Sequence, residues 1–140
     1  MTRQIKYIAI HCTATSQSAK VESIQNYWRN TLKWKSQGYH ILIEADGTRH
    51  YLQPFDQPAN GVRGFNQESI HISYIGGVDA KGNAIDNRTE AQKASILIAI
   101  KEAMEYAKTK PIIQGHRDFP NVAKDCPCFD AKKEYAWITV

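Results

Sequence analysis

Ile5-Lys6-Tyr7-Ile8-Ala9-Ile10-His11-Cys12, running on into Thr13-Ala14-Thr15, is the stretch from which the fold can be read. It is short, apolar and rich in β-branched residues, so it reads as a buried strand. The threonines that follow mark a loop, and the strand therefore ends on a histidine and a cysteine.

A helix is expected over 21–32, with Ile24, Tyr27, Trp28 and Leu32 at i, i+3, i+4 and i+8 on one stripe. Gly38 breaks that pattern. Residues 39–43 read as a second strand, Asp46-Gly47 is a hairpin turn signal, and 48–52 pairs back. Residues 54–66 are loop-like. A third main strand is expected over 69–75, ended by Gly76-Gly77, and 79–87 is a polar loop. Thr89 caps the longest helix, 90–108, whose buried face is Ile96, Ile100, Ala103, Met104 and Ala107. A short strand, 111–114, leads into Gly115-His116-Arg117-Asp118, and 130–137 reads as a closing helix. The mixed order of strands and helices places the chain in the α/β class, as a single domain over 1–140 with one mainly central sheet covered by helices.

Composition narrows the function classes. With 140 residues, 42% hydrophobic and 23% charged, the chain has the balance of a globular domain, and disordered and fibrous classes drop out. No apolar run approaches the roughly 18 residues of a membrane span, so no membrane partner is expected. The net charge of +4 favours anionic partners, cell wall or nucleic acid, but no dense Lys/Arg cluster appears, and the scattered basic residues read rather as a solvated surface. Lys6 interrupts the N-terminal stretch before a signal-peptide core forms, so synthesis in the cytosol is expected. The three cysteines, Cys12, Cys126 and Cys128, are an odd number and point to free thiols or metal ligands rather than a disulfide framework.

A catalytic zinc takes three protein ligands from His, Cys or carboxylate and keeps one position open. His11 ends one strand, His116 lies just past another, and Cys126 follows ten positions later on a loop closed by Pro127. Spacing alone leaves two readings open, structural histidines at strand ends or a metal site.

Ile10-His11-Cys12-Thr13-Ala14-Thr15, Gly38-Tyr39-His40, Asp46-Gly47-Thr48, Gly64-Phe65-Asn66, Ser69-Ile70, Gly76-Gly77, Gly115-His116-Arg117-Asp118 and Lys124-Asp125-Cys126-Pro127 occur in this order across nearly the whole chain. Together they resemble the zinc-dependent amidase family that includes T7-type phage lysozymes and peptidoglycan-recognition proteins. The resemblance implies a central mixed β-sheet flanked by helices. It implies one zinc per chain held by His11, His116 and Cys126, with Tyr39 and Lys124 as active-site residues. The implied reaction is hydrolysis of the amide between N-acetylmuramic acid and L-alanine in peptidoglycan. Peptidoglycan is the expected partner, nucleic acid is not, and a monomer is expected. The chain would act on the wall after release, as an endolysin does, or on recycled wall fragments. Two rival readings are a non-catalytic peptidoglycan-binding module, against which Cys126 argues, and a phage RNA polymerase regulator.

Neighbouring residues carry narrower expectations. His40 should alternate to the face opposite Tyr39, and Cys12 should point away from the site as an inert thiol. Cys128 is a possible competitor for the metal. Arg117 and Asp118 either orient His116 or fix its loop. Two positions depart from the family pattern: Gly61 stands where many relatives have histidine, and His71 where many have glycine. Neither is expected to touch a zinc ligand, so both should affect substrate detail only.

Overall fold

Residues 3–138 are described by the structure, a computed structural model; the expected domain bounds of 1–140 run beyond them at both ends. Tyr7–Cys12 forms β1, and all but its first residue are buried. It lies between two parallel neighbours, β4 (Ser69–Tyr74) and β5 (Ile112–Gly115). β2 (Ile41–Ile43) runs parallel to β4 on its other side, and β3 (Arg49–Tyr51) closes that edge antiparallel to β2. The order is β3-β2-β4-β1-β5, a mixed five-stranded sheet. Parallel strands covered on both faces carry near-continuous apolar runs, and this is why the 5–12 stretch identified its own position.

Period-2 alternation divides the sheet into two faces. Ile8, Ile10, Ile41, Ile43, Ile70 and Ile72 face one core, with Ile96 and Ile100 from α2 (Glu90–Ala107). Burial of each such side chain contributes about 1.5–3 kcal/mol. On the other face Leu42 packs with Ile24 and Trp28, and Ala9 with Val62 and Phe119. His11 and His71 belong by alternation to this second face.

α2 begins at a reciprocal capping box in which Thr89 Oγ1 accepts the Gln92 N–H and Gln92 Oε1 accepts the Thr89 N–H. The Gln92 amide also donates to the Ile43 and Ile75 carbonyls, fastening the helix to the ends of β2 and β4. Lys108 ends the helix in the left-handed region with φ 55°.

Two expectations are corrected. The 21–32 helix is α1 (Val21–Asn26) continued by a π turn, Tyr27–Thr31. The wider turn breaks the 3.6-residue stripe, so Ile24 and Trp28 are buried while Tyr27 and Leu32 stay exposed. The closing helix α3 is only Ala131–Glu134, with Asp130 as its cap. Tyr135 is buried beyond it, but Trp137 is 69% exposed, so the apolar residues there do not continue one helical face.

Candidate metal centre

Open α/β sheets place ligands at the carboxyl ends of their parallel strands, and the candidate residues gather there. His11 is the fifth residue of β1 and is fully buried. Ile10 pairs with Gly115 at the last matched step of β1 and β5, so the chain leaves β5 at His116 beside His11. The two rings lie 4.8 Å apart between centroids, at 63°. His116 then opens a 3₁₀ turn, His116–Asp118. The Asp118 carboxylate accepts the Gly115 N–H at 2.8 Å, and the Arg117 N–H donates to the Cys126 carbonyl at 2.9 Å. Of the two roles left open for this pair, these contacts are those of loop fixation.

Cys126 is brought in from the other side. The Cys12 N–H donates to its Sγ at 3.1 Å, tying the sulfur to the end of β1. Pro127 packs directly on Gly115, where an added Cβ would stand 2.5 Å from Pro127 Cδ. Glycine before His116 therefore lets the two loops approach this closely. The result is a group of three donors, one nitrogen each from His11 and His116 and the sulfur of Cys126, all within 4.8 Å of one another.

These residues fit a metal on two further grounds. Burial, then the charge of Lys124, lowers His116 to about 4. Burial, then His71, His116 and Lys124, holds His11 well below the usual histidine range. Both rings are thus neutral near pH 7 and offer lone pairs, the form in which histidine ligates. Moreover, His11 Nδ1 is buried without a hydrogen-bond partner among the described residues. An orphaned buried polar atom costs about 1–3 kcal/mol, a cost that a bound cation would remove. Two imidazoles and one thiol match the ligand chemistry of a catalytic zinc.

A cleft of about 770 Å³ opens over this group, and Tyr39 and Lys124 line it beside His11, His116 and Cys126. The Tyr39 ring lies 5.0 Å from that of His11, and its hydroxyl donates to the Cys12 carbonyl at 3.3 Å. Burial raises the phenol above its ordinary value, so it stays protonated. Lys124 is exposed. The apolar wall includes Trp28 and Trp34, stacked at 6.3 Å. Trp28 is also part of the buried core, and no sequence motif marks either tryptophan as a cleft wall.

Cys12 turns to the opposite face of β1, with Sγ 3.9 Å from Cys128 Sγ. The Cys128 thiol donates to the Gly77 carbonyl, and burial pushes its pKa up to about 12. It lies outside the three-donor group. β2 begins only at Ile41, so strand alternation does not govern Tyr39 and His40. The His40 ring stacks on His71 at 5.8 Å, and its Nδ1 accepts the His71 N–H.

The expectation for His71 is overturned. Its ring is fully buried, and Nδ1 lies 2.9 Å from His11 Nε2. It touches a candidate ligand directly. The matching position Gly61 lies against the same ring, so the two departures share one space. A contact between residues 60 positions apart leaves no local trace in the sequence.

Comparison with known proteins agrees with this architecture. Residues 1–129 match the family model described as N-acetylmuramoyl-L-alanine amidase. The endolysin of Klebsiella phage KP32 is 31% identical over 132 residues, covering 94% of this chain and 85% of the endolysin. The endolysin of Escherichia phage T7 is 32% identical over 131 residues, covering 90% and 82%. Among solved structures, the Ph2119 endolysin of a Thermus scotoductus bacteriophage superposes with a TM-score of 0.73 at 27% identity, covering 91% of this chain and 79% of that one.

Proposed function

The chain belongs to the N-acetylmuramoyl-L-alanine amidase family and is an amidase that cleaves peptidoglycan; we propose that it does so with one zinc ion held by His11, His116 and Cys126. The scissile bond is the amide joining the lactyl group of N-acetylmuramic acid to L-alanine. Two observations carry the metal reading: the convergence of three donors within 4.8 Å, and a buried His11 Nδ1 that has no hydrogen-bond partner among the described residues.

When bound, zinc supplies Lewis acidity, which polarises an amide carbonyl and lowers the pKa of water to about 7. The chain's own residues do the rest. With the neutral rings of His11 and His116 and a single sulfur ligand, a bound Zn2+ would keep a net positive charge. Lys124, exposed at the cleft, presents an ammonium to the oxygen on which negative charge develops during attack. Such a donor is worth more in the transition state than in the ground state. Tyr39 keeps its proton and donates it to the Cys12 carbonyl, which leaves its hydroxyl oxygen free to orient the attacking water by accepting a hydrogen bond from it. The cleft wall of Trp28, Trp34 and Tyr27 gives apolar surface against which the sugar and peptide of a muramyl peptide lie.

The named relatives are endolysins, and this supports action on the wall after release from the cell that makes it. No helix among the described residues is long and apolar enough to cross a membrane. Digestion of purified sacculi, followed by mass spectrometry, tests the function. Free stem peptides beginning with L-alanine should appear while glycan strands stay long. New reducing ends without free stem peptides would replace the amidase by a glycosidase. Intact sacculi alongside cleaved small muropeptides would move the substrate to recycled fragments.

A further inference from the structure

We propose that His71 is a positioning residue that sets the tautomer of His11, handing the Nδ1 lone pair of His11 to the metal through a hydrogen-bond relay that starts at a backbone amide. The proposal deepens the metal reading above and rests on it.

The relay has one direction because its first donor has no alternative. The Val62 N–H donates to Asn66 Oδ1 at 2.8 Å. A backbone N–H can only donate, so the atom facing it is the carbonyl oxygen of the Asn66 amide and not its NH₂. The same oxygen lies 2.9 Å from His71 Nε2. An oxygen that only accepts requires the proton on Nε2 of His71. A neutral ring then carries its lone pair on Nδ1. That Nδ1 lies 2.9 Å from His11 Nε2, so His11 must hold its proton on Nε2 and donate it. The lone pair of His11 is left on Nδ1, the buried atom with no hydrogen-bond partner among the described residues.

Packing holds the relay in place. His71 and His11 sit on the same face of adjacent parallel strands, with Ala9 opposite His71 and His11 opposite Ser73. The His71 ring stacks on His40 on one side, and its backbone N–H is held by His40 Nδ1. On the other side Gly61 leaves the space the ring needs: a Cβ there would come within 2.3–2.6 Å of its atoms. A histidine ligand commonly donates its second ring N–H to a neighbour that fixes tautomer and orientation; here the neighbour is a second histidine.

Two measurements on the full chain test this. In the ¹⁵N-labelled protein, NMR should place the His11 proton on Nε2 at neutral pH and show scalar coupling across the hydrogen bond to His71 Nδ1. A proton on His11 Nδ1 overturns the proposal. The second measurement is zinc affinity by competition with a chromophoric chelator, in the wild type, His71→Asn and His71→Leu. Both variants lose the ring, but Asn keeps an acceptor oxygen at the position of Nδ1. Affinity should fall about 10–100-fold in His71→Leu and stay within a few-fold of wild type in His71→Asn, with thermal unfolding recorded for both. Equal losses in the two folded variants, or no loss in His71→Leu, overturn it. A chain with the His11 proton on Nε2 that binds no zinc sinks the metal reading and leaves the relay standing.

Discussion

Lys124 and Cys126 stand two positions apart on one loop, yet the structure gives them opposite environments. Cys126 is buried against β1, and Lys124 is exposed at the cleft. Cys126→Ser should therefore lower zinc content and activity together. Lys124→Ala should leave zinc content and melting temperature close to wild type, because an exposed lysine contributes little to stability. Its turnover should still fall by roughly 10²–10³, the loss typical of one oxyanion-stabilising donor. Metal analysis, melting and turnover on both variants check the pair, and near-normal turnover in Lys124→Ala would remove that residue from the mechanism. His40 makes a separate prediction. Burial, with the nearby Arg3 charge opposing protonation, lowers it to about 4 from 6.5. The folded pKa is the depressed one, so the unfolded chain binds the extra proton first as pH drops. The contribution is present above pH 6.5 and lost as pH falls from 6.5 through 4, by about 3 kcal/mol. Urea unfolding across that window should show the loss, and His40→Gln should flatten the slope.

At the scale of elements, the site depends on strand register and on how tightly α2 holds the sheet. The pairing of Ile10 with Gly115 sets His116 beside His11, and a one-residue slip would turn His11 to the opposite face. α2 is fastened at its first turn, where Thr89 caps the helix, donates to the Ala45 carbonyl, and positions Gln92 toward the ends of β2 and β4. Thr89→Ala removes the cap and should cost about 1–2 kcal/mol. Chemical denaturation should show an earlier midpoint with unchanged slope. Activity at temperatures below the transition should be retained, since α2 covers the sheet face away from His11. A loss of activity in the folded variant would mean that α2 also sets the cleft.

The whole molecule couples metal binding to folding. His11 comes from the first strand, His116 from the exit of the last, and Cys126 from the loop beyond it, so an unfolded chain does not present the three donors together. Binding to the folded state alone stabilises by RT ln(1 + [L]/Kd), about 2.7 kcal/mol at a hundredfold excess over Kd. Zinc should therefore raise the melting temperature, with about one ion per chain, while a chelator lowers it and abolishes activity reversibly. Calorimetry with and without chelator checks this. A melting temperature indifferent to zinc, in a chain that still cleaves peptidoglycan, would end the metal reading.

Much of this was legible in the linear chain, for local reasons. The 5–12 run shows its buried strand by its own apolar, β-branched content, Thr89 and Gln92 show a helix start by their spacing, and Asp46-Gly47 shows its turn. The ordered motifs likewise pointed to the amidase family and to the residues later found around one cleft. Other features depend on contacts between distant segments. The π turn at Tyr27–Thr31 defeats a regular stripe, and the exposure of Tyr27 and Leu32 follows from it. The place of His71 depends on strand register, on the absent side chain at Gly61 and on the Asn66 amide, and none of these is its sequence neighbour. Propensity and periodicity act over a few residues and can be read along the chain. A lone pair aimed at a metal is fixed by hydrogen bonds across the sheet, and only folding brings those partners within reach.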